Sequence, residues 1–159
     1  MLHSHLIRIA IATALGLCSS ACLAAPATSL TAKDMTECAN GAIDYVKSVE
    51  GVVLPYSIEG LVKIDSVLDH YHRRGYSFEQ TQDQTMLFGC FVGEMMVRNL
   101  GAAWYFPSEE EANVIGKLPV IRLKNGTLFN PIGKARKAAE NGMEDSIAKF
   151  YRFTAGLAK

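Results

Sequence analysis

The chain has 159 residues, 49% hydrophobic and 20% charged, with 16 Lys/Arg balanced by 16 Asp/Glu. Residues 28–159 are one domain's worth of chain, enough to bury a core without staples, and no repeat, Pro-rich linker or low-complexity tract marks a second unit. The balance conceals a split: residues 28–116 carry 6 Lys/Arg against 13 Asp/Glu, net −7, and residues 117–159 carry 9 against 3, net +6. Such halves either form two poles able to steer a charged partner or face each other and cancel.

Residues 1–27 have the form of a secretory signal peptide, with Arg8 near the start, an apolar core from Ile9 to Leu17 and the small-residue tail SSACLAAPA. Cleavage after Ala24 and after Ala27 satisfies the small-residue rule equally. Lipid attachment at Cys22 would want a Leu-type residue three positions earlier, where Ser19 stands, so simple cleavage is preferred. The core is too short for a spanning helix of roughly 20 apolar residues, and no later segment stays apolar long enough. The expected product is periplasmic or secreted, and nucleic acid is a poor partner for an exported chain with so modest a basic half.

Two of the four Cys fall inside this segment, leaving Cys38 and Cys90 in residues 28–159. An isolated pair in an oxidising compartment invites a disulfide; two buried free thiols are the alternative.

A first helix is predicted from about Thr31 to Glu50, with Thr31 and Asp34 in capping-box spacing and Gly51 as its stop. Met35, Cys38, Ala42, Val46 and Val49 form its inward stripe. A second runs from about Ser57 to Arg74 and stops at Gly75, with Leu61, Ile64, Val67, Leu68 and Tyr71 on one face. A third begins after Ser77, which has Gln80 in the reciprocal capping position, and ends at Gly101. Its polar first turns, FEQTQDQT, are expected to project beyond the core. From Met86 onward it is apolar nearly all round, as a helix gripped from several sides would be.

A β section follows. AAWYF (102–106) and PVIRLKNGTLFN (119–130) have strand composition, and Asn125-Gly126 signals a two-residue hairpin turn that would set Leu123 opposite Leu128 and Arg122 opposite Phe129. Trp104 is expected in the core. The acidic connection PSEEEANVIGKL between the strands is either a loop or a short helix. Asn130-Pro131 opens a fourth helix that stops at Asn141-Gly142, and a last one, from about Glu144 to Ala155, turns Ile147, Phe150, Tyr151 and Thr154 inward. The predicted class is α+β: three N-terminal helices, a small antiparallel sheet with an Asn-Gly hairpin and two C-terminal helices.

The run FGCFVGEMMVRNLGAAW (88–104) sets Glu94 and Arg98 among residues that ask to be buried. They lie about 40° apart on a helix, in the favourable order for an ion pair. A structural anchor is the leading reading; a partner- or ligand-facing site and general acid/base chemistry are the others, and acid/base work would want a second titrating group in an opposed environment. In DHYHRRG (69–75), His70 and His72 are separated by about 200° and cannot share an ion. Asp65, Asp69 and His72 do share a face, but two carboxylates with one His are not the usual zinc set. The blander reading pairs Asp69 with Arg73, leaves Asp65 solvated and makes His72 a core-edge residue. No nucleophile elbow or Cys/His dyad is supported, and Gly89 and Gly93 are no phosphate loop, since neither a preceding strand nor a following Lys-Ser/Thr accompanies them. They are expected to admit a neighbouring helix. No metal, cofactor or catalytic residue is indicated.

Gly89, Gly93-Glu94, Trp104, the hairpin, Asn130-Pro131 and Asn141-Gly142 together resemble a family of small bacterial domains with a Gly-x-x-x-Gly-Glu helix, a Trp-bearing strand, a β-hairpin and Asn-Pro and Asn-Gly punctuated helices. The likeness covers about half of residues 28–159. It implies the fold and transfers no catalytic residues.

Two surface features are left to carry function. Glu109, Glu110 and Glu111 form a compact acidic run suited to steering a basic partner, and Arg122 with Lys124 gives the hairpin a basic strip. The sequence therefore points to an exported binding protein, most concretely an immunity or inhibitor protein that blocks an envelope-targeting toxin by protein–protein contact. A housekeeping accessory protein of the envelope and a small hydrolase-type enzyme using Glu94 are the alternatives.

Overall fold

The computed structural model describes residues 29–158; the predicted signal segment, its cleavage sites and Cys22 lie outside them. The described residues form an α+β domain with the element order α1 (Ala32–Glu50), α2 (Ile58–Arg74), α3 (Phe78–Leu100), β1 (Ala103–Tyr105), α4 (Glu109–Ile115), β2 (Val120–Arg122), β3 (Leu128–Phe129), α5 (Pro131–Asn141) and α6 (Ile147–Leu157). A turn of 3₁₀ helix at Gly142–Asp145 joins the last two helices. The acidic connection is thus helical, which adds α4 to the five helices expected.

Capping fixes where α1 and α3 begin. Asp34 Oδ2 accepts from the Thr31 backbone N–H at 2.7 Å, and Gln80 Oε1 accepts from that of Ser77 at 2.9 Å, so orphan donors at both helix starts are satisfied. Met35, Ala39, Ala42 and Val46 form the buried stripe of α1, with Cys38 half-buried beside it. Val49 is not part of it: residues 47–50 are all exposed, because the last turn of α1 runs past the core.

The axis of the molecule is α3, packed chiefly between α1 and α5. Every residue from Phe88 to Met96 is buried, which explains why this helix lacks a polar stripe. Its two small residues serve different neighbours. A Cβ at Gly89 would collide with the backbone of Ile132 on α5, whereas one at Gly93 would enter the ring of Trp104. So Gly89 admits a helix, as expected, and Gly93 seats the tryptophan. The first turns of α3 do not project as expected. Thr81 and Thr85 are buried, with hydroxyls donating to the carbonyls of Ser77 (3.2 Å) and Gln82 (3.0 Å), so back-bonding makes these polar residues fit for burial.

The three strands form one antiparallel sheet in the order β1-β2-β3. Trp104 pairs with Ile121, which in turn pairs with Phe129, while Arg122 pairs with Ala103 and Leu128. This register differs by one residue from the predicted hairpin. The Gly126 N–H donates to Leu123 O, and the Leu123 N–H donates to Thr127 O, both at 2.9 Å. Only Gly126 takes a positive φ, 86°, and Asn125 does not, so the connection is a three-residue turn closed by a bulge rather than a two-residue type I′ turn, which requires both residues left-handed.

At the other end, Asn130 caps α5 by accepting from the Gly133 N–H at 2.7 Å, with Pro131 as first helical residue. The last helix starts at Ile147 rather than Glu144. Its cap is built partly across the fold: Ser146 Oγ accepts from the Lys149 N–H at 3.2 Å, while buried Asp65 on α2 accepts from Ser146 Oγ (2.6 Å) and from the N–H groups of Ile147 (2.5 Å) and Ala148 (3.1 Å).

Candidate functional site

The charged pair on α3 is formed: Arg98 Nε donates to Glu94 Oε1 at 2.9 Å, with Glu94 buried and Arg98 half-exposed. The second carboxylate oxygen lies 3.2 Å from the Thr36 hydroxyl of α1, whose single proton is shared with Ala32 O at 3.1 Å. The Arg98 guanidinium also sits 4.0 Å from the Tyr56 ring centroid, and that ring stacks on Phe91 with centroids 4.5 Å apart. The pair therefore fastens α3 to α1 and to the α1–α2 connection. Burial pushes the Tyr56 phenol up, Arg98 opposing and Glu94 adding to it. Among the described residues, the Tyr56 hydroxyl and the Trp104 indole N–H are the buried side-chain atoms without a hydrogen-bond partner. With both carboxylate oxygens facing protein donors, Glu94 is arranged as an acceptor for the fold.

Cys38 and Cys90 are joined in a disulfide with Cα atoms 5.8 Å apart. It is a second clasp between α1 and α3, since Cys90 is fully buried on the α3 axis.

The acidic run and the basic strip meet through an aromatic ring that the sequence did not single out. Ser108 caps α4, and Glu111 closes the capping box by accepting from the Ser108 N–H at 2.9 Å. The same carboxylate accepts from the Tyr105 hydroxyl, and the Arg122 guanidinium lies 4.6 Å from the Tyr105 ring centroid. The Tyr105 hydrogen bond, followed by that of the Ser108 backbone, holds the Glu111 carboxyl below its usual range, and the reciprocal bond raises the Tyr105 phenol. Glu109 and Glu110 remain exposed on the first turn of α4. Lys124 is not part of this group: its side chain lies over Gly101, just past the end of α3.

Around α4 the surface is indented. A cleft of about 520 Å³ is lined by Pro107, Ser108, Glu109, Ala112, Asn113 and Lys117. A smaller one, of about 210 Å³, shares Pro107 and Lys117 and adds Leu30, Phe106 and Pro119. Val114 and Leu118 stand exposed nearby in the sequence, Val114 at 85%. The helix α4 buries none of its residues and leaves Glu109, Glu110 and Val114 open to solvent.

The predicted face of Asp65, Asp69 and His72 is divided among three tasks. Asp65 is not solvated but caps α6; Asp69 pairs with Arg73 at 2.8 Å; and His72 Nδ1 lies 2.7 Å from Glu140 O on α5. Among the described residues no group of three or more His, Cys, Asp or Glu is arranged to hold a metal ion, and no helix is long and apolar enough to cross a membrane.

Of the residues the sequence passed over, Tyr105 carried a usable signal. It alternates with Trp104 along a strand and so belongs to the opposite, outward face, where Arg122 also points. Tyr56 carried none, since Arg98 lies 42 residues away along the chain, and the capping role of Asp65 was equally hidden, its partner Ser146 lying 81 residues away. No family model, curated protein or solved structure matches this chain.

Proposed function

We propose that the chain is an exported binding protein, most concretely an immunity or inhibitor protein that blocks an envelope-targeting toxin by protein–protein contact. The carrying observation is the α4 platform: Glu109 and Glu110 exposed on a helix whose base is fixed by Ser108, Glu111, Tyr105 and Arg122. The capping box and the Tyr105–Glu111 bond hold the first turn of α4, and its exposed carboxylates are placed to steer a basic partner before contact. Exposed Val114 and Leu118 and the adjoining clefts supply places for a few apolar anchors. The signal-like segment 1–27 supports delivery to the envelope, and the engagement of Glu94 with Arg98 and Thr36 favours binding over acid/base catalysis.

The test is a growth competition. A strain lacking this gene, and the neighbouring gene where that is needed to reveal sensitivity, is grown in contact with its parent while secretion is active. Death of the deletion strain, rescued only by a copy that keeps residues 1–27, is the expected result. Rescue should weaken with Glu109→Lys and Glu110→Lys combined, a change that spares Glu111 and therefore the cap of α4. Equal survival of deletion strain and parent overturns immunity, and full rescue by the charge-reversed copy removes α4 from the interface.

A further inference from the structure

A cleft of about 460 Å³ lies between the C-terminal parts of α1 and α2, and it shares no lining residue with the α4 surface. Its floor is aromatic. The Tyr45 and Tyr71 hydroxyls share a 2.7 Å hydrogen bond, and Tyr45 is braced from beneath by an edge contact with Phe88, centroids 5.9 Å apart. Tyr76 leans on Tyr71 at 5.8 Å and on His70 at 6.4 Å, yet stays 41% exposed. An aromatic ring held by neighbours and left open to solvent is an apolar platform whose ordering has already been completed by folding.

The polar groups around that platform are hydrogen-bonding groups without net charge. The Glu50 carboxylate is held by Lys63, and the Arg73 guanidinium by Asp69 at 2.8 Å. Each charge in the lining is thus compensated by a neighbour, so the cleft has no ionic preference but keeps a planar acceptor and a planar donor fork at its rim. Between the two phenols only one proton is used in their mutual bond, leaving one O–H donor and several lone pairs free. Burial, then the bond to Tyr45, raises the Tyr71 phenol, so that hydroxyl stays neutral.

An apolar platform, an uncharged hydroxyl pair and compensated planar groups are complementary to a neutral molecule that has an apolar face and a hydroxyl-bearing edge. We infer that this cleft is a saccharide site, taking a mono- or disaccharide unit with one ring face against Tyr76 and its hydroxyls toward the Tyr45–Tyr71 pair, Glu50 and Arg73. The volume is within the range of about 300–1,000 Å³ usual for small-molecule sites. The inference does not depend on the α4 reading.

The test is a backbone-amide NMR titration of the oxidised protein with cellobiose, maltose and N,N′-diacetylchitobiose, with spermidine and inorganic phosphate as ionic probes. At least one disaccharide should shift the amides of Val49, His70, Arg73 and Tyr76 saturably. Tyr76→Ala should weaken that binding by about tenfold or more with an unchanged melting temperature, and Tyr45→Phe, which keeps the ring, should weaken it less. Affinity that rises with oligomer length identifies a glycan polymer as the source; equal affinity identifies a free sugar. The inference is overturned if no disaccharide gives saturable shifts at these residues, if Tyr76→Ala and Tyr45→Phe both bind like the parent, or if spermidine or phosphate binds there and the sugars do not.

Discussion

Glu94 and Arg98 stand one helical turn apart, and i,i+4 spacing fixes their proximity before any tertiary structure forms. Their remaining neighbours, Thr36 and Tyr56, depend on how α1 and the α1–α2 connection return to α3, which no local pattern encodes. The distinction sets the expected energetics. Glu94→Gln keeps an acceptor oxygen for Arg98 and turns its amide N–H toward the Thr36 hydroxyl oxygen, and it should cost about 1–2 kcal/mol. Arg98→Ala should cost more, because it strands a buried carboxylate and removes the guanidinium from the Tyr56 ring. Urea unfolding of both variants and of the double variant checks this, and a neutral Arg98→Ala would sink the clasp. Gly93→Ala is the sharper probe of packing: the added methyl must displace Trp104, and overpacking of this kind costs about 1–3 kcal/mol. Trp104 is the sole tryptophan, so a loss of its near-UV dichroism should accompany the lowered urea midpoint.

Elements announce themselves through caps and stops, and their mutual placement does not follow from those signals. The starts of α1, α3 and α5 are readable from Thr31 with Asp34, Ser77 with Gln80, and Asn130 with Pro131, because a cap is satisfied within three or four residues. The hairpin was misread by one position because Asn-Gly fits two turn types, and only the φ of Asn125 separates them. The start of α6 differs from the predicted one because Gly142–Asp145 is a 3₁₀ turn that precedes the Ser146 cap, and because the first two amides of α6 are satisfied by Asp65 of α2. Asp65→Ala should therefore act at a distance, leaving the first amides of α6 without an acceptor at a cost of about 2–3 kcal/mol. Hydrogen exchange should lose protection at Ile147 and Ala148 before α2 is affected; equal loss in both helices would contradict a local cap. A second clasp at this end is sensitive to pH. Hydrogen bonds from Lys134 (2.5 Å) and Asn141 (2.6 Å) lower the Asp145 carboxyl from its usual 3.8. A carboxylate with a depressed folded pKa contributes stability that is present above the unfolded value and lost as pH falls through the folded one. The stability gap between the parent and Asp145→Asn should be constant at pH 5–7 and close below about pH 3.8, and a gap that persists to lower pH would place the effect in packing.

Across the whole molecule the charge split survives folding. Among the described residues every ion pair joins partners from the same half: Lys33–Glu37, Lys63–Glu50, Arg73–Asp69 and Arg98–Glu94 in the acidic part, Lys134–Asp145 and Arg136–Glu140 in the basic part. Across the two halves, Arg122 attracts Glu111 beside the Tyr105 ring and Arg136 attracts Glu79, without an ion pair forming at either place. Within the acidic part, α1 and α3 are joined by a covalent bond, by apolar packing and by the Thr36–Glu94 contact. The Cys38–Cys90 bond closes a loop with a sequence separation of 52, and α3 carries that constraint into its contacts with α5. Constraining the unfolded chain to this extent contributes about 4 kcal/mol in the chain-entropy account, less any cost in the native state. A Cys38→Ala/Cys90→Ala variant should thus unfold at a lower urea concentration, by the equivalent of about 2–4 kcal/mol, and the parent with reductant should approach the same curve. Reduction itself should be slow below the transition, because Cys90 is fully buried and a reductant reaches it only when α3 opens. Fast reduction of the native protein would mean that α1 separates from α3 independently, and superimposable curves with and without reductant would assign the union of the two helices to the packing of Met35, Ala39, Ala42 and Val46 and to the Thr36–Glu94 contact.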